Sequence, residues 1–356
     1  MSLPDSSIKG LINQDVSWLR SQEGVPEIVI SSRVRLARNL ASGIFPGRSQ
    51  PEELFRDRDR IVQAAAGVNF LADAVYFDLD TLGRLDKLAL QERRLISRDL
   101  LEQRFGSGLL VGMNQALDIM INEEDHIRLQ CLLPGLDLIE AFRIADQVDD
   151  QLQGRLEVAY SPEWGFLTCC PSNLGTGLRA SLLVHLPALA RTRRAEALLD
   201  GLVSQGFMVR GFSGEGSETV GDVHQVSNRT TMGCSELEII EAMEVLGRRI
   251  SEQEAEAREQ LGGRARVSTE DSVWRAFGIL SQARILSMTE LMEHWSTLRL
   301  GIALGLLPEK GTAVLNRLLI ASQPAHLQVM KGAELKAPAR DAERARMARE
   351  AVGQMI

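Results

Sequence analysis

The chain has 356 residues, 44% of them hydrophobic and 25% charged, so it is long enough to bury the cores of two domains. Its formal net charge of −8 argues against binding nucleic acid or an anionic membrane through overall charge, so any anion site must be local. No apolar run approaches the ~18 residues of a membrane span. The four cysteines lack paired CxxC spacing, and the first residues lack an apolar signal core. We therefore expect a reduced, cytoplasmic protein.

The first 25 residues are interpreted as an extension, and residues 26–258 as one α+β domain. Short β-like runs alternate there irregularly with helical segments such as LDLIEAFRIADQVDDQLQ, which is typical of a largely antiparallel sheet with helices packed on it. The runs GLLVGM and LDIMI, separated by NQA, predict a hairpin. The other predicted strand runs are EIVISSRVRL, AVYFDLD, LDIMINEEDHIRLQCLL, LEVAYS, FLTC, MVRGF and HQVSN.

A long helical pattern, SELEIIEAMEVLGRRISEQEAEAREQL, leads into a segment in which every predicted element is a helix. The paired glycines of LGGRARVS mark the natural boundary. We place an all-helical C-terminal domain at residues 259–356.

The stretch SSRVRLAR places Arg33 and Arg35 two residues apart on one predicted strand. Their guanidinia repel each other, which is tolerated on a solvated surface or where a polyphosphate bridges them. The stretch itself leaves both interpretations open.

The stretch INEEDHIRLQ, residues 121–130, interrupts an apolar run with acidic side chains. If it is a strand, alternation puts Glu124 and Arg128 on one face and Glu123 on the other. A carboxylate and an arginine on one face predict a polar site; a solvated, salt-bridged face is the alternative.

The stretch CCPSNLGTGLRAS, residues 169–181, is interpreted as a strand end, a loop, and the start of a helix in LRASLLVHLPAL. A helix N-terminus favours anions, and Arg179 in the first turn would oppose the helix dipole, so a negative group should offset it. Cys170 is either a thiol whose pKa nearby cations lower or an inert buried thiol.

The stretch VRGFSGEGSE, residues 209–218, is a strand end followed by a glycine-bracketed loop with Arg210 and Glu215. The glycines suggest a segment able to fold over a ligand, although a plain surface turn fits equally. No GxxxxGK[ST] motif is present and no lysine lies near these loops, so arginines would have to bind any phosphate.

Five separated arginines, two candidate carboxylates, one cysteine and two glycine loops together indicate phosphoryl transfer, in which positioning and charge neutralisation do most of the work. The five are Arg33, Arg35, Arg128, Arg179 and Arg210.

The stretches SSRVRLAR, NEEDHIR, CPSNLGTGLRAS and RGFSGE, in this order, resemble the phosphagen (ATP:guanido) kinase family between residues 27 and 250. Within this family, the chain resembles the bacterial protein-arginine kinase branch more than the small-molecule phosphagen kinases. Only about 25 residues precede its first arginine motif, where small-molecule phosphagen kinases carry a whole helical domain. The motif RDAERA, residues 340–345, is also similar to that branch's RDxxRA phosphoarginine-binding motif.

The resemblance implies that ATP binds with Mg²⁺, the metal being held mainly through the ATP phosphates. The implied ATP-binding residues are Ser31, Ser32, Arg33, Val34, Arg35, Arg94, Arg128, Arg179, Ala180, Ser181, Leu182, Leu183, Arg210, Gly211, Phe212, Ser213 and Gly214.

The resemblance also implies that Glu124 and Glu215 flank a substrate guanidinium, with Glu123 as a secondary candidate and Cys170 in a tuning role. A guanidinium has a pKa above ~12 and is a poor nucleophile, so carboxylates must orient it and accept its proton.

Three positions depart from the family pattern. Arg94 stands where related kinases carry a nucleotide-site histidine, and a guanidinium there would stack on adenine through a cation–π contact. Gln225 and Thr230 replace aspartates, which leaves the ribose contacts open.

In the C-terminal helix, the resemblance implies a phosphoarginine pocket formed by Arg340, Asp341, Arg344 and Ala345. Two guanidinia would bind the phosphoryl group and the carboxylate would read the guanidinium portion. A plain i, i+4 salt-bridged helix face is the alternative.

We therefore expect an ATP-dependent protein-arginine kinase that acts on exposed arginines and marks proteins for a Clp-type ATPase and protease. The resemblance further implies a homodimer and a possible activator protein. The alternatives are a kinase of a free guanidino metabolite and a phosphoarginine-binding adaptor with little catalysis.

Overall fold

The structure is a computed structural model that describes residues 8–20, 28–103, 105–212, 220–263 and 265–355. Its strands are β1 (Val29–Arg38), β2 (Val75–Asp78), β3 (Gly108–Gly112), β4 (Leu117–Ile121), β5 (Ile127–Pro134), β6 (Tyr160–Ser161), β7 (Gly165–Phe166), β8 (Leu178–His185), β9 (Phe207–Gly211) and β10 (Val223–Asn228). Its helices are α1 (Ile8–Ile12), α2 (Pro51–Ala65), α3 (Arg84–Glu92), α4 (Arg98–Glu102), α5 (Leu138–Gln153), α6 (Pro187–Arg191), α7 (Ala195–Ser204), α8 (Glu236–Gly263), α9 (Arg266–Gln282), α10 (Met288–Ala303), α11 (Gly311–Ala321), α12 (Pro324–Lys331) and α13 (Ala337–Gly353).

Eight strands form one antiparallel sheet in the order β2-β3-β4-β5-β1-β8-β10-β9, and β6 pairs with β7 in a separate hairpin. The predicted α+β class with a largely antiparallel sheet is confirmed. The predicted hairpin of β3 and β4 is also present, with Gly112 opposite Leu117.

One face of the sheet is apolar and is covered by α5 and α8. Side chains at alternate positions of the central strands point into this layer, among them Val34, Leu129 and Leu182, all fully buried. This period of two is what a strand with one buried face requires.

The opposite face is divided. At one end, Leu132, Leu183 and Val223 share a core with the C-terminal helices and with the 3-10 turn Ser17–Leu19. The remainder of this face is polar. The predicted all-helical C-terminal region is present; the predicted boundary after residue 258 falls within α8, which continues to Gly263. The exact domain division stays a prediction.

Two local predictions are wrong. The run LDIMINEEDHIRLQCLL is two strands, because β4 ends at Ile121, Asn122 turns the chain with a φ of 54°, and β5 starts at Ile127. LRASLLVHLPAL does not begin a helix: its first eight residues are β8, in the middle of the sheet. Only residues 187–191 after them are helical.

Within the ranges that the structure describes, no helix is both long and apolar enough to cross a membrane.

Candidate functional site

The polar part of the sheet collects the predicted arginines. Directly opposed residues of neighbouring antiparallel strands project from the same face. Arg35 of β1 lies opposite Arg179 of β8 and opposite Gln130 of β5. Arg128, two residues before Gln130 on the same strand, shares that face.

The fifth arginine joins from the sheet edge. Arg210 of β9 lies opposite Gln225 of β10, which in turn lies opposite Leu183 of β8. Leu183 is four residues from Arg179 on the same strand and therefore shares its face. All five arginines are on one face of one sheet, Arg33 being two residues from Arg35.

Arg33 has few neutralising neighbours. Its Nε donates to Ser181 Oγ at 3.2 Å and its Nη2 donates to Gln225 Oε1 at 3.0 Å. Burial, followed by the positive charges of Arg94 and Arg128, lowers the pKa of Arg33 to about 9. The protonated guanidinium is therefore electrostatically unfavourable here, and a bound anion would reverse that.

Arg35 is in the same condition. Burial and the neighbouring guanidinia, Arg33 first, lower its pKa well below the ordinary value. Its Nε is buried and has no hydrogen-bond acceptor among the described residues. An unused buried donor costs free energy, which an incoming acceptor such as a phosphate oxygen would recover.

A buried carboxylate, which the sequence interpretation missed, lies in the floor of this face. Asp118 of β4 lies opposite Gln130 and accepts a hydrogen bond from its Nε2 at 2.8 Å. Burial raises the pKa of Asp118 well above its ordinary value, while Arg33 and Arg128 oppose that rise. The available signal was a single aspartate within the apolar strand LDIMI.

Arg94 connects two distant segments beside the arginine face. Its Nη2 donates to the Phe212 carbonyl at 2.7 Å, and its guanidinium carbon lies 4.8 Å from the Phe212 ring centroid and 5.2 Å from that of Trp18. Burial lowers the pKa of Arg94 to about 10. Stacking on adenine stays a prediction, and the aromatic neighbours within the protein are Phe212 and Trp18.

The acidic stretch is a turn, and this changes which glutamate faces Arg128. Arg128 Nη1 donates to the carboxylate of Glu123, which is buried. Burial would raise the pKa of Glu123, but Arg128 holds it below the ordinary value. The predicted pairing of Glu124 with Arg128 on one strand face is therefore wrong, because residues 122–126 do not alternate as a strand does.

Glu124 instead faces the cysteine loop, residues 169–177. Asn173 Nδ2 lies 3.5 Å from its Oε2, and a hydrogen bond also joins it to Cys170. Burial, then the negative charges of Asp125 and Glu123, raise the pKa of Glu124. Glu124 is only half-buried and, unlike Glu123, is not the partner of Arg128.

The two neighbouring cysteines differ. Cys170 Sγ lies 3.0 Å from Ser172 Oγ and belongs to the same cluster as Glu124. Burial, followed by the charge of Asp125, raises the pKa of Cys169 to about 12, so its thiol stays protonated at neutral pH. The structure thus brings Cys170 and Glu124 together, as predicted.

Asp125 joins the acidic turn to the cysteine loop. Its Oδ1 accepts hydrogen bonds from Asn39 Nδ2 at 2.5 Å and from the Cys169 backbone N–H at 2.7 Å. Asn39 Oδ1 in turn accepts the His126 backbone N–H at 3.0 Å. The sequence interpretation assigned no role to Asp125 or Asn39, which position Glu124 relative to Cys170.

The far end of the cysteine loop is held by Arg38. Its Nε donates to Asp149 at 2.9 Å, its Nη1 donates to the Thr176 carbonyl at 2.9 Å, and its guanidinium lies 3.5 Å from the Phe166 ring centroid. Gly177 has a φ of 64°, and a Cβ there would approach the backbone of the neighbouring β1 strand to 2.6 Å. The loop shape therefore depends on glycine.

The other predicted ATP-binding residues divide into groups. Val34, Ala180 and Leu182 are buried in the apolar layer on the opposite face of the sheet. Leu183 belongs to the core shared with the C-terminal helices, and Ser32 Oγ donates to a backbone carbonyl. Ser31 and Gly211 are buried strand residues. Ser213, Gly214 and Glu215 lie outside the described residues.

The predicted phosphoarginine residues lie at the start of α13. Arg344 is buried and donates to the carbonyls of Ser322 (3.0 Å) and Leu286 (2.9 Å) and to Asp341 Oδ1 (2.6 Å). Arg340 Nη1 lies 3.4 Å from the Leu335 carbonyl. Ala345 is buried in the helical core. Recognition of phosphoarginine here stays a prediction.

Two family models match the chain. Residues 59–257 match the C-terminal catalytic domain of ATP:guanido phosphotransferases, and residues 266–355 match the C-terminal domain of the protein-arginine kinase McsB.

Curated relatives match over nearly the whole chain. The protein-arginine kinase of Symbiobacterium thermophilum is 43% identical over 340 residues, which cover 93% of this chain and 95% of that protein. The protein-arginine kinase of Bacillus subtilis is 39% identical over 351 residues, covering 97% and 95%.

Solved structures share the fold. The duplicated taurocyamine kinase from Schistosoma mansoni with bound transition state analog components aligns with a TM-score of 0.59 and 27% identity over 66% of this chain, which spans 34% of that longer chain. Lombricine kinase aligns with a TM-score of 0.56 and 24% identity over 71% of both chains.

Proposed function

The chain belongs to the ATP:guanido phosphotransferase family and, within it, to the protein-arginine kinases, and from that premise we propose that it transfers the γ-phosphoryl group of ATP to arginine side chains of proteins. The observation that carries the proposal is the meeting of an arginine-lined sheet face with an acidic turn. Arg128 belongs to the first and is bonded to Glu123 of the second.

The arginine face is the proposed ATP site. Guanidinia at Arg33, Arg35, Arg128, Arg179 and Arg210 would neutralise the polyphosphate, and the unused Nε donor of Arg35 fits a phosphate oxygen. Mg²⁺ would enter with the nucleotide, held mainly by phosphate oxygens.

The acidic turn is the proposed acceptor site. Glu124 would bind the substrate guanidinium and accept a proton as the guanidinium nitrogen forms its bond to the γ-phosphorus and the bond from phosphorus to the ADP oxygen breaks. Glu123, held by Arg128, would fix the turn rather than accept the proton. The second predicted carboxylate, Glu215, remains part of this proposal from the family resemblance.

The experiment is incubation with MgATP and an arginine-containing peptide, with the matched lysine peptide and free L-arginine as controls. We expect acid-labile phosphoarginine on the first peptide only, identified by mass spectrometry at neutral pH. Phosphate incorporated only into free arginine would instead identify a small-molecule guanidino kinase. Glu124→Gln should lower kcat by about 10²-fold or more.

The C-terminal helices are proposed to sense phosphoarginine and to form a homodimer. Two arginines beside an aspartate, Arg340, Arg344 and Asp341, support the first role. Exposed apolar residues of the α9 region support the second, with Val267 82% and Ile285 68% exposed. Light scattering measures the mass in solution, and a phosphoarginine peptide tests binding.

The family resemblance also supports a cytoplasmic role in which phosphoarginine marks proteins for a Clp-type ATPase and protease, with a possible activator protein. Degradation of a phosphorylated substrate by purified Clp components, compared with its unphosphorylated form, tests this step. Equal degradation of the two forms would remove it from the proposal.

A further inference from the structure

Four large exposed apolar side chains lie on segments that contact the acidic turn or the cysteine loop. They are Ile44 (48% exposed), Tyr160 (58%), Trp164 (48%) and Met232 (39%). We refer to these four residues as the apolar rim. They need an explanation because the segments that carry them contact the loops of a charged site.

Two members of the rim lie on the hairpin of β6 and β7, which is bonded to the cysteine loop. The Leu167 N–H donates to the Ala159 carbonyl at 3.0 Å, extending the hairpin, and the Leu167 carbonyl accepts Asn39 Nδ2 at 3.1 Å. Phe166 and Gly175 exchange backbone hydrogen bonds of 2.8 and 3.3 Å. The exposed aromatic hairpin is therefore fixed directly to the loop that carries Cys170.

The other two members approach from different segments. Met232 lies over the loop, since a Cβ on Gly175 would come within 2.8 Å of Met232 Cγ. Ile44 precedes Phe45, whose ring meets the ring of His126 in the acidic turn edge-on, with centroids 6.1 Å apart. Three separate segments thus carry exposed apolar groups: two of them contact the cysteine loop, and the third contacts the acidic turn through Phe45.

From this arrangement we propose that the apolar rim binds the residues that flank the acceptor arginine and selects polypeptides with a large apolar or aromatic side chain next to that arginine. The inference rests on the proposed function. When the guanidinium reaches Glu124, the main chain that carries it must cross the surrounding surface, which is the rim. A free guanidino metabolite has no flanking residues and gains nothing from these side chains.

The physical basis is the removal of apolar surface from water on both partners. Trp164 and Tyr160 are rigid and have few rotatable bonds, so they lose little entropy on binding. A flanking glycine or serine offers no comparable surface. The rim should therefore discriminate between peptides by their neighbouring residues while leaving ATP binding unchanged.

The test uses two fluorescein-labelled peptides, Gly-Leu-Arg-Phe-Gly and Gly-Ser-Arg-Ser-Gly, with the full-length protein. Binding is measured by anisotropy without ATP, and phosphorylation is measured with MgATP. We expect the first peptide to bind about tenfold more tightly to the wild type. Trp164→Ala and Tyr160→Ala should each remove most of that preference, with the KM for ATP and the melting temperature unchanged.

Ile139→Ala is the matched control, because Ile139 is 60% exposed on α5, beyond the end of β5 that is remote from the acidic turn. It should keep the full preference. Equal affinity of the wild type for both peptides, or equal losses for both peptides in Trp164→Ala, would overturn the rim proposal. Selective binding without any phosphoryl transfer would keep the rim and overturn the proposed function instead.

Discussion

The arginines of the sheet face and those of α13 are the same residue type in opposite conditions. Burial, and then the neighbouring guanidinia, lower the pKa values of Arg33 and Arg35. In α13, hydrogen bonds from Arg346 to Glu343 and then to Glu350 raise the pKa of Arg346. Arg344 is bonded to two carbonyls and Asp341.

The two sets of arginines differ in whether the protein supplies acceptors for their guanidinium donors. In α13 the protein supplies its own acceptors, so those arginines stabilise the helix and its contacts. On the sheet face, Arg35 Nε has no acceptor among the described residues, so this buried guanidinium is unfavourable and an added anion would relieve it. A buried guanidinium with an unused donor, as in Arg35, is therefore a stronger indication of anion binding than one whose acceptors the protein supplies.

The largest expected effect is on catalysis. Arg35→Ala should lower kcat/KM by about 10²- to 10³-fold, because one donor to the transferring phosphoryl group is lost. The free energy of unfolding should stay the same or rise, since an unfavourable buried charge is removed. Steady-state kinetics and urea denaturation measure both. A large loss of stability would contradict the contrast between the two regions.

Arg344→Ala should do the reverse. Removing its guanidinium leaves two buried carbonyls and a carboxylate without their donor, so the free energy of unfolding should fall by about 3 kcal/mol. Arg346→Ala, on the exposed side of the same helix, is the control and should cost at most about 1 kcal/mol. Similar losses for both variants would refute the distinction.

Nucleotide binding should stabilise the protein through the arginines of the sheet face. At about 100 times its dissociation constant, MgATP should raise the free energy of unfolding by about 2.7 kcal/mol. At the same MgATP concentration Arg35→Ala should gain clearly less, whereas Arg346→Ala should gain as much as the wild type. Melting curves with and without nucleotide provide the measurement, and an equal gain in Arg35→Ala would count against phosphate binding at that position.

The smallest expected effect is a shift in pH dependence. Glu124 must be ionised to accept a proton, and burial raises its pKa, so kcat/KM should fall as the pH drops through that raised value. Because the hydrogen bond from Cys170 lowers this pKa, Cys170→Ala should move the acid limb of the pH profile of kcat/KM to higher pH. The expected shift is smaller than one pH unit, which corresponds to about 1.4 kcal/mol. Cys170→Ser, which keeps a donor, should restore the wild-type profile.

Much of the architecture could be predicted from the sequence where the local pattern and the tertiary environment agree. The apolar alternation of β1 and the amphipathic period of α5 each correspond to the observed element. The sequence also predicts that the five arginines act together. That they share one face of the sheet follows from the register between strands, which cannot be read from any one strand alone.

The errors came from segments that carry chemistry. In the run LRASLLVH of β8, polar Arg179, Ser181 and His185 alternate with apolar residues as in a strand, but Leu183 interrupts this alternation, and the run also fits a helix. The acidic turn has no glycine or proline to announce it, and Asn122 supplies the positive φ instead. Long-range contacts such as Asp125 with Asn39 have no local sequence signal at all.

The contact of Arg94 with Trp18 and Phe212 has an optical consequence. Indole emission responds to nearby charge, and the buried Trp18 has over its ring the guanidinium of Arg94, which is bonded to the Phe212 carbonyl. Any ligand that displaces Phe212 or its carbonyl changes the electric field at that indole. The emission of Trp18, after subtraction of the emission of Trp164, Trp274 and Trp295, would therefore report any movement at Phe212 on addition of nucleotide.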